Sequence, residues 1–296
     1  MSGLAGYILL RMAAALFGLL PESAIRRIGR LAGVATSVLS RDKAALLRRH
    51  LTRVLGPVPD IDRHIRAMYA SYGRYWAEVF WVRPRRKAEI LSHSKVVGLE
   101  HIEAARDRGS GIILALPHLG NWEMAGAKAE EIGIPVLAVA EMLPNRRLVD
   151  WFLGVRSALG IDVVLASEGR RVTESLLNRL RSGGTVALLA DRDITGRGVE
   201  VDFFGERTTI PAGPLSLADR TGASLLPVGC YFNEGRGHTF VVQPPMSLPT
   251  EGSRSERIAV GSQQLALVLE EIIRKAPEQW HLFQPNWPSD RSEEVR

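Results

Sequence analysis

Cysteine occurs once in 296 residues, and only five of the 38 basic residues are lysines. A lone Cys230 cannot form an internal disulfide, which points to a reducing compartment. Its place in the apolar stretch Leu225-Leu226-Pro227-Val228-Gly229-Cys230-Tyr231-Phe232 reads as a buried structural thiol rather than a nucleophile. Long unbroken apolar runs are also missing. Gly3 to Leu20 comes nearest, but Arg11 interrupts it, and a secure bilayer span needs about 20 consecutive apolar residues. The same segment lacks the basic start and the small-residue cleavage site of a signal peptide. There is no internal repeat, low-complexity linker, zinc-finger spacing, aromatic RNA-binding motif or basic arm, so nucleic acid is the weakest partner for this chain. His93, His101 and His238 show no paired spacing, and no metal is expected.

What remains is ordinary globular material, 46% hydrophobic and 24% charged, with a net charge of +6. A chain of this length can bury a large core. The positive charge sits almost entirely on arginine, whose planar fork suits phosphate, so an anionic membrane or a phosphorylated co-substrate would match it.

The first sixty residues hold two basic amphipathic patterns. Ile25, Ile28, Leu31 and Ala32 recur at helical spacing with Arg26, Arg27 and Arg30 between them; Leu46, Leu47, Leu51, Val54 and Leu55 repeat the theme with Arg48, Arg49 and Arg53. Such helices can lie in an anionic interface or pack on the rest of the chain, and both readings stand. Pro57-Val58-Pro59-Asp60 breaks the pattern, and a helix is expected over Ile61 to Val82.

Beyond residue 95 short β-rich runs alternate with helical ones. The strands are Lys95 to Gly98, Gly111 to Leu116, Val136 to Ala140, Asp162 to Leu165, Thr185 to Ala190, Ser224 to Phe232 and Thr239 to Val242. Helices fall near 122–131, 145–158, 170–181, 212–221 and 255–275. This alternation gives an α/β fold, a mixed, largely parallel central sheet flanked by helices. The expected organisation is an amphipathic helical region over 1–92 and an α/β catalytic domain over 93–296.

The chemistry concentrates at Pro117-His118-Leu119-Gly120-Asn121-Trp122-Glu123, just after the apolar run Gly111 to Leu116. On one regular helix His118 and Glu123 would diverge by roughly 140°, so His118 belongs in the turn before the helix and Glu123 in its first turns. A neutral histidine there can take a proton from a hydroxyl while a carboxylate on its other nitrogen fixes the tautomer. A lone histidine with an acid five residues on is usually structural; the strand, turn and helix around it favour a site, because α/β proteins bind ligands at the carboxyl ends of strands. A second constellation, Asp191-Arg192-Asp193, follows the strand that ends at Ala190, and a carboxylate there can reach a histidine at a neighbouring strand end.

His-x4-Glu in the form His118-Leu-Gly-Asn-Trp-Glu123 resembles the first motif of the glycerolipid acyltransferases, in the branch that includes the lipid A acyltransferases and the phosphatidylinositol mannoside acyltransferases. Ser71-Tyr72-Gly73-Arg74-Tyr75-Trp76, Ala190-Asp191-Arg192-Asp193, the run Gly198 to Glu206 and Trp280-His281-Leu282-Phe283-Gln284-Pro285 resemble their counterparts in the mannoside enzymes, in the same order. The resemblance covers residue 70 to the C-terminus, more loosely before it. It implies that an acid at Asp191 orients His118, with Glu123 supporting the helix; in the wider family the motif acid itself has the orienting role, so both remain candidates. It matches Arg156 to the family's arginine that faces the site and Glu141 to a carboxylate near the acceptor; Arg156 or Arg197, the latter in a glycine-bearing loop, is the candidate to hold phosphate, and Arg220 is a further binding candidate. Two positions depart from the mannoside pattern, Asp191 and Arg220, where glutamates are expected.

The reaction that the resemblance implies moves a long-chain acyl group from acyl-CoA, palmitoyl-CoA being the type donor, to a sugar hydroxyl of a glycolipid acceptor, a mannose of phosphatidylinositol mannoside. No permanently bound cofactor is needed. His118 acts as base, and the backbone amides of Leu119 and Gly120 are the expected oxyanion donors. The expected place is the cytoplasmic face of the cell membrane, peripheral or monotopic, on an anionic inner surface. Two alternatives are a lipid A-type acyltransferase taking its acyl group from a carrier protein or CoA, and a non-catalytic lipid-binding membrane protein.

Overall fold

The computed structural model describes residue 12 and residues 14–83, 86–141 and 145–291. Most of the Gly3 to Leu20 segment lies outside the described residues. The chain opens with helices α1 (Glu22–Leu39), α2 (Arg41–Leu55), α3 (Ile61–Trp81) and α4 (Lys87–Ser92). Strands and helices then alternate as β1 (Lys95–Val97), α5 (Leu99–Asp107), β2 (Ile112–Leu116), α6 (Trp122–Glu131), β3 (Val136–Ala140), α7 (Arg146–Ala158), β4 (Asp162–Leu165), α8 (Arg170–Arg181) and β5 (Thr185–Leu189). The last part holds the hairpin β6 (Val199–Phe203) and β7 (Glu206–Ile210), then α9 (Gly213–Thr221), β8 (Ser224–Phe232), β9 (His238–Val242), α10 (Arg254–Arg274) and α11 (Pro288–Arg291).

Seven strands form one sheet in the order β1-β9-β8-β2-β5-β3-β4, parallel at every pairing except β8 with β9. The α/β class and the seven expected strands are therefore present. β2 lies between β8 and β5, and all five of its residues are buried. That is why Ile112 to Leu116 reads as a continuous apolar run rather than an alternating one: a parallel strand covered on both faces has no wet side. The β6–β7 hairpin lies outside the expected strands. Its signal was the alternation of buried Val201 and Phe203 with exposed Glu200 and Asp202. Its turn places both Phe204 (φ 52°) and Gly205 (φ 76°) in the left-handed region, the backbone shape that suits a two-residue hairpin.

The two basic amphipathic patterns do different things. α2 buries Leu46, Leu47, Leu51 and Val54, and its arginines are tied down: Arg53 donates to Glu206 and Asp290, Arg49 to Asp290 and Arg48 to Asp62. α1 turns most of its apolar stripe outward. Ile25 is buried, but Ile28, Leu31, Val38 and Leu39 are exposed. What faces α3 instead is glycine: a Cβ on Gly33 would stand 2.0 Å from the Tyr69 carbonyl oxygen, and one on Gly73 would stand 2.1 Å from that of Gly29. The helices cross at backbone contact, which leaves the larger side chains of α1 no room inside. Ile25, Ala77, Trp81 and Val82 share a buried cluster with Ile112, Leu114 and Leu116 of β2, so the N-terminal helices rest on the sheet domain's own core.

Candidate active site

β2 and β5 are parallel neighbours with Leu116 paired to Leu189, and the Ala190 amide extends the ladder to the Leu116 carbonyl at 2.8 Å. Two residues past that pairing on each strand stand His118 and Asp191, so the sheet register itself sets them side by side. His118 Nδ1 meets Asp191 Oδ1 at 2.7 Å, and the His118 amide donates to Oδ2 at 3.0 Å. Oδ2 also accepts Trp280 Nε1 at 2.7 Å, and Asn286 Nδ2 donates to the Asp191 carbonyl at 3.2 Å. The carboxylate is fully buried. Burial by itself would raise its pKa, but the His118 charge and the donated hydrogen bonds outweigh it and hold the carboxyl below its ordinary value. An ionised acceptor on Nδ1 places a proton there, so in the neutral imidazole Nε2 carries the lone pair. The His118 side chain is 19% exposed, enough for a substrate hydroxyl to approach.

The turn between them is fixed by backbone contacts. Gly120 sits at φ 59°, and a Cβ there would fall 2.1 Å from the Cys230 carbonyl oxygen. Asn121 then caps α6, its Oδ1 accepting the Met124 amide at 3.3 Å. The two amides expected as oxyanion donors are both engaged within the protein: the Leu119 amide donates to the Pro117 carbonyl at 2.7 Å and the Gly120 amide to that of Gln279 at 2.9 Å.

Glu123 does not orient His118. It is buried and closes on Arg156, with Arg156 Nη2 to Oε1 at 2.7 Å and Nε to Oε2 at 3.0 Å. Burial would lower the Arg156 pKa, but the Glu123 charge and hydrogen bonds raise it. A guanidinium committed in this way has less to offer a phosphate than the sequence suggests.

That ion pair separates two cavities. One, of about 90 Å³, runs between α6 and the sheet; Trp122 and Glu123 stand at one end, and its lining is otherwise mostly apolar, with Ala129, Val136, Ala187 and Phe240 among its walls. The other, of about 170 Å³, is lined by Tyr75, Trp76, Glu141, Phe152, Glu123 and Arg156. Trp122 stands edge-on to His118, ring centroids 5.5 Å apart, and packs on Tyr75 at 4.4 Å.

Glu141 thus lines the second cavity together with Glu123 and Arg156. Arg197 stays exposed on the loop after β5, which the Asp193 carboxylate holds through the Thr195, Gly196 and Gly198 amides. Arg220 is not brought there. It lies exposed in the last turn of α9, four residues before Ser224, which pairs with Ile112 at the opposite, amino-terminal end of β2.

A family model described as bacterial lipid A biosynthesis acyltransferase matches residues 4–289. The chain belongs to that acyltransferase family. A phosphatidylinositol mannoside acyltransferase of Mycobacterium tuberculosis is 43% identical over 84% of this chain and 79% of its own length. An enzyme of the same description from Mycolicibacterium smegmatis is 41% identical over 84% and 81%. A lipid A biosynthesis acyltransferase of Haemophilus influenzae is 28% identical over 74% and 67%. Among the described residues no group of three potential ligands could hold a metal ion, and no helix is long and apolar enough to cross a membrane. Cys230 is buried, and burial pushes its thiol pKa up.

Sequence reasoning gave no role to several residues that this acyltransferase places around the His118–Asp191 pair. Trp280 anchors Asp191 and is buttressed by Phe203 and Phe204 of the β6–β7 hairpin, which gives the Gly198 to Glu206 motif a structural task. His281, whose amide donates to the His118 carbonyl at 2.7 Å, is buried, and burial together with the His118 charge lowers its pKa to about 3. Glu78 is a buried hub, accepting Arg74 Nε at 2.7 Å and Asn121 Nδ2 at 2.8 Å and meeting His238 Nε2 at 2.8 Å. It links α3 to the cap of α6. Adjacent polar and aromatic residues in Trp280-His281 and the helical position of Glu78 were the available signals; their partners are too far away in sequence for spacing to reveal.

Proposed function

We propose that this acyltransferase moves a long-chain acyl group from acyl-CoA to a mannose hydroxyl of phosphatidylinositol mannoside at the cytoplasmic face of the membrane. The observation that carries the reading is the His118–Asp191 pair, which leaves Nε2 as the base. Nε2 takes the proton of the sugar hydroxyl as its oxygen attacks the thioester carbonyl carbon. The tetrahedral intermediate collapses with cleavage of the C–S bond, and the imidazolium returns its proton to the leaving thiolate, giving an ester and free CoA. General base catalysis supplies about 10²–10⁴-fold; positioning and stabilisation of the oxyanion must supply the rest. With the Leu119 and Gly120 amides engaged, we assign that stabilisation to the amino-terminal end of α6, where the helix dipole is positive.

The apolar cavity suits the acyl chain, and the aromatic cavity with Glu141 suits a sugar, since a carboxylate accepts hydroxyl hydrogens. Arg197, exposed at this edge, is available to a CoA phosphate. The exposed apolar residues of α1 beside its arginines support docking on an anionic surface. The mannoside acceptor follows the two mycobacterial relatives, whose identities exceed that of the lipid A enzyme.

The test is free-thiol release from palmitoyl-CoA by wild type and His118→Ala, offered mannosylated phosphatidylinositol or a lipid A precursor. Release with the mannolipid alone, lost in the variant, is expected. Release with the lipid A precursor alone would move the acceptor to that class, and release unchanged in His118→Ala would overturn the assignment of the base.

A further inference from the structure

α1 divides its surface into three strips. At about 100° per residue, Gly29 and Gly33 face α3; Ser23, Arg26, Arg27 and Arg30 follow within an arc of roughly 100°; and the exposed Ile28, Leu31, Val38 and Leu39 occupy the next. The arginine strip therefore lies between the protein and the apolar strip. There it lines a cleft of about 470 Å³ whose other walls are Arg74 of α3 and Glu234 of the β8–β9 turn.

Four arginines of this cleft face one carboxylate in its wall, Glu234, which is exposed and makes no ion pair among the described residues. Arg74 is fully committed, to Glu78 Oε1 at 2.7 Å and to the carbonyls of Asn233 at 2.7 Å and Gly237 at 3.3 Å. Arg26 Nε is buried with no hydrogen-bond partner. The nearby Glu22 Oε1 stands 3.9 Å away, and that carboxylate already accepts Arg236 Nε at 2.7 Å and the Gly237 amide. Arg27 and Arg30 are exposed and make no ion pair among the described residues. Burial first, and the neighbouring Arg74 charge second, lower the Arg26 pKa, against the opposing pull of the Glu22 and Glu78 carboxylates.

We infer that this cleft binds the phosphate group of a membrane phospholipid, with Arg26, Arg27 and Arg30 as donors and the adjacent apolar strip entering the acyl region. The inference deepens the membrane docking proposed above and rests on it. An anion here is held by forked donors, at the depth where headgroups meet side chains that reach into lipid. It differs from general basic attraction in being local: the same charge removed elsewhere should matter little.

The experiment is co-sedimentation of the full chain with phosphatidylcholine vesicles and with vesicles that also contain phosphatidylinositol. Wild type is compared with Arg27→Gln/Arg30→Gln and with a control, Arg170→Gln/Arg171→Gln, which removes equal charge from exposed positions on α8. At roughly a factor of five for each arginine near an anionic surface, the cleft variant should bind phosphatidylinositol vesicles about 30-fold more weakly, and the control less than about twofold. Equal losses in both variants, or none in the cleft variant, would overturn the site while leaving membrane docking intact. Failure of wild type to bind any vesicle, with thiol release preserved, would overturn docking and this site together. Calorimetric titration with inorganic phosphate forms the second arm: heat abolished by the cleft variant, without any vesicle-binding difference, would assign the cleft to a soluble phosphate and overturn the lipid.

Discussion

At the carboxyl edge of the central sheet polar groups are buried, whereas along α1 apolar groups are exposed. Asp191, Glu123, Glu78 and Asn121 are all nearly sealed from solvent, while Leu31 is 69% and Leu39 84% exposed. Each region breaks the ordinary rule of burial in its own direction. The buried polar groups are tolerable because each has its partner: Asp191 has three donors, Glu123 has Arg156 and Glu78 has Arg74, His238 and Asn121. The exposed apolar groups of α1 have none, because its glycines rather than its leucines meet α3. α2 shows that the pattern alone does not decide this, since its similar stripe is buried. The first region holds its polar groups by internal partners; the second presents an apolar strip that the proposed membrane docking would cover.

The sharpest way to separate the two regions is to damage one and read out the other. Asp191→Asn removes the acceptor that fixes the His118 tautomer and should lower kcat by about 10³–10⁴-fold, by analogy with other histidine–carboxylate pairs, with vesicle binding unchanged. Parallel loss of vesicle binding would mean that the variant disturbs the fold and that the regions are not independent.

Glu78→Gln tests whether the buried polar groups are truly satisfied. Burial opposes ionisation of Glu78, but the charges of His238 and Arg74 pull its pKa from 4.5 down to about 2. A carboxyl lowered on folding contributes stability that is fully present above its unfolded value and is lost as pH falls through its folded one. Urea unfolding at neutral pH should show a loss of about 3–5 kcal/mol in the variant, and the gap should narrow as pH drops from 4.5 towards 2. Equal stabilities at neutral pH would show the hub to be dispensable.

Truncating leucines sharpens the contrast between the two amphipathic helices. Leu47→Ala, fully buried in α2, should cost about 2–5 kcal/mol of stability. Leu31→Ala in α1 should change unfolding by less than about 0.5 kcal/mol yet weaken vesicle binding. A comparable stability loss at Leu31 would mean that its face is packed, not exposed. The smallest expected effect is in selectivity: Ala129→Leu, which narrows the apolar cavity, should shift preference towards shorter acyl-CoA donors at a stability cost of about 1–3 kcal/mol. An unchanged chain-length profile would remove the acyl chain from that cavity.

Much of the fold was legible because its signals are local. The apolar runs of the parallel strands, the breaks at Pro57 and Pro59, and the helical spacing in 122–131 or 170–181 are all contained in windows of a dozen residues. His118 and Asp191 were legible for the same reason, as polar residues placed just after apolar strands. The engaged amides of Leu119 and Gly120, the closing of Glu123 on Arg156 and the distance of Arg220 from the base were not, since each depends on a partner from another element.

The sequence by itself determined the α/β class, the strand ends that carry the base and its acid, and two basic amphipathic helices. Tertiary structure decided which acid holds His118, because the β2–β5 register sets Asp191 beside it while α6 turns Glu123 towards α7. It also decided which amphipathic helix stays uncovered, because the Gly33 and Gly73 crossing brings α1 to α3 backbone against backbone. Periodicity fixes what a helix could bury; the shape of its neighbour fixes which face is buried.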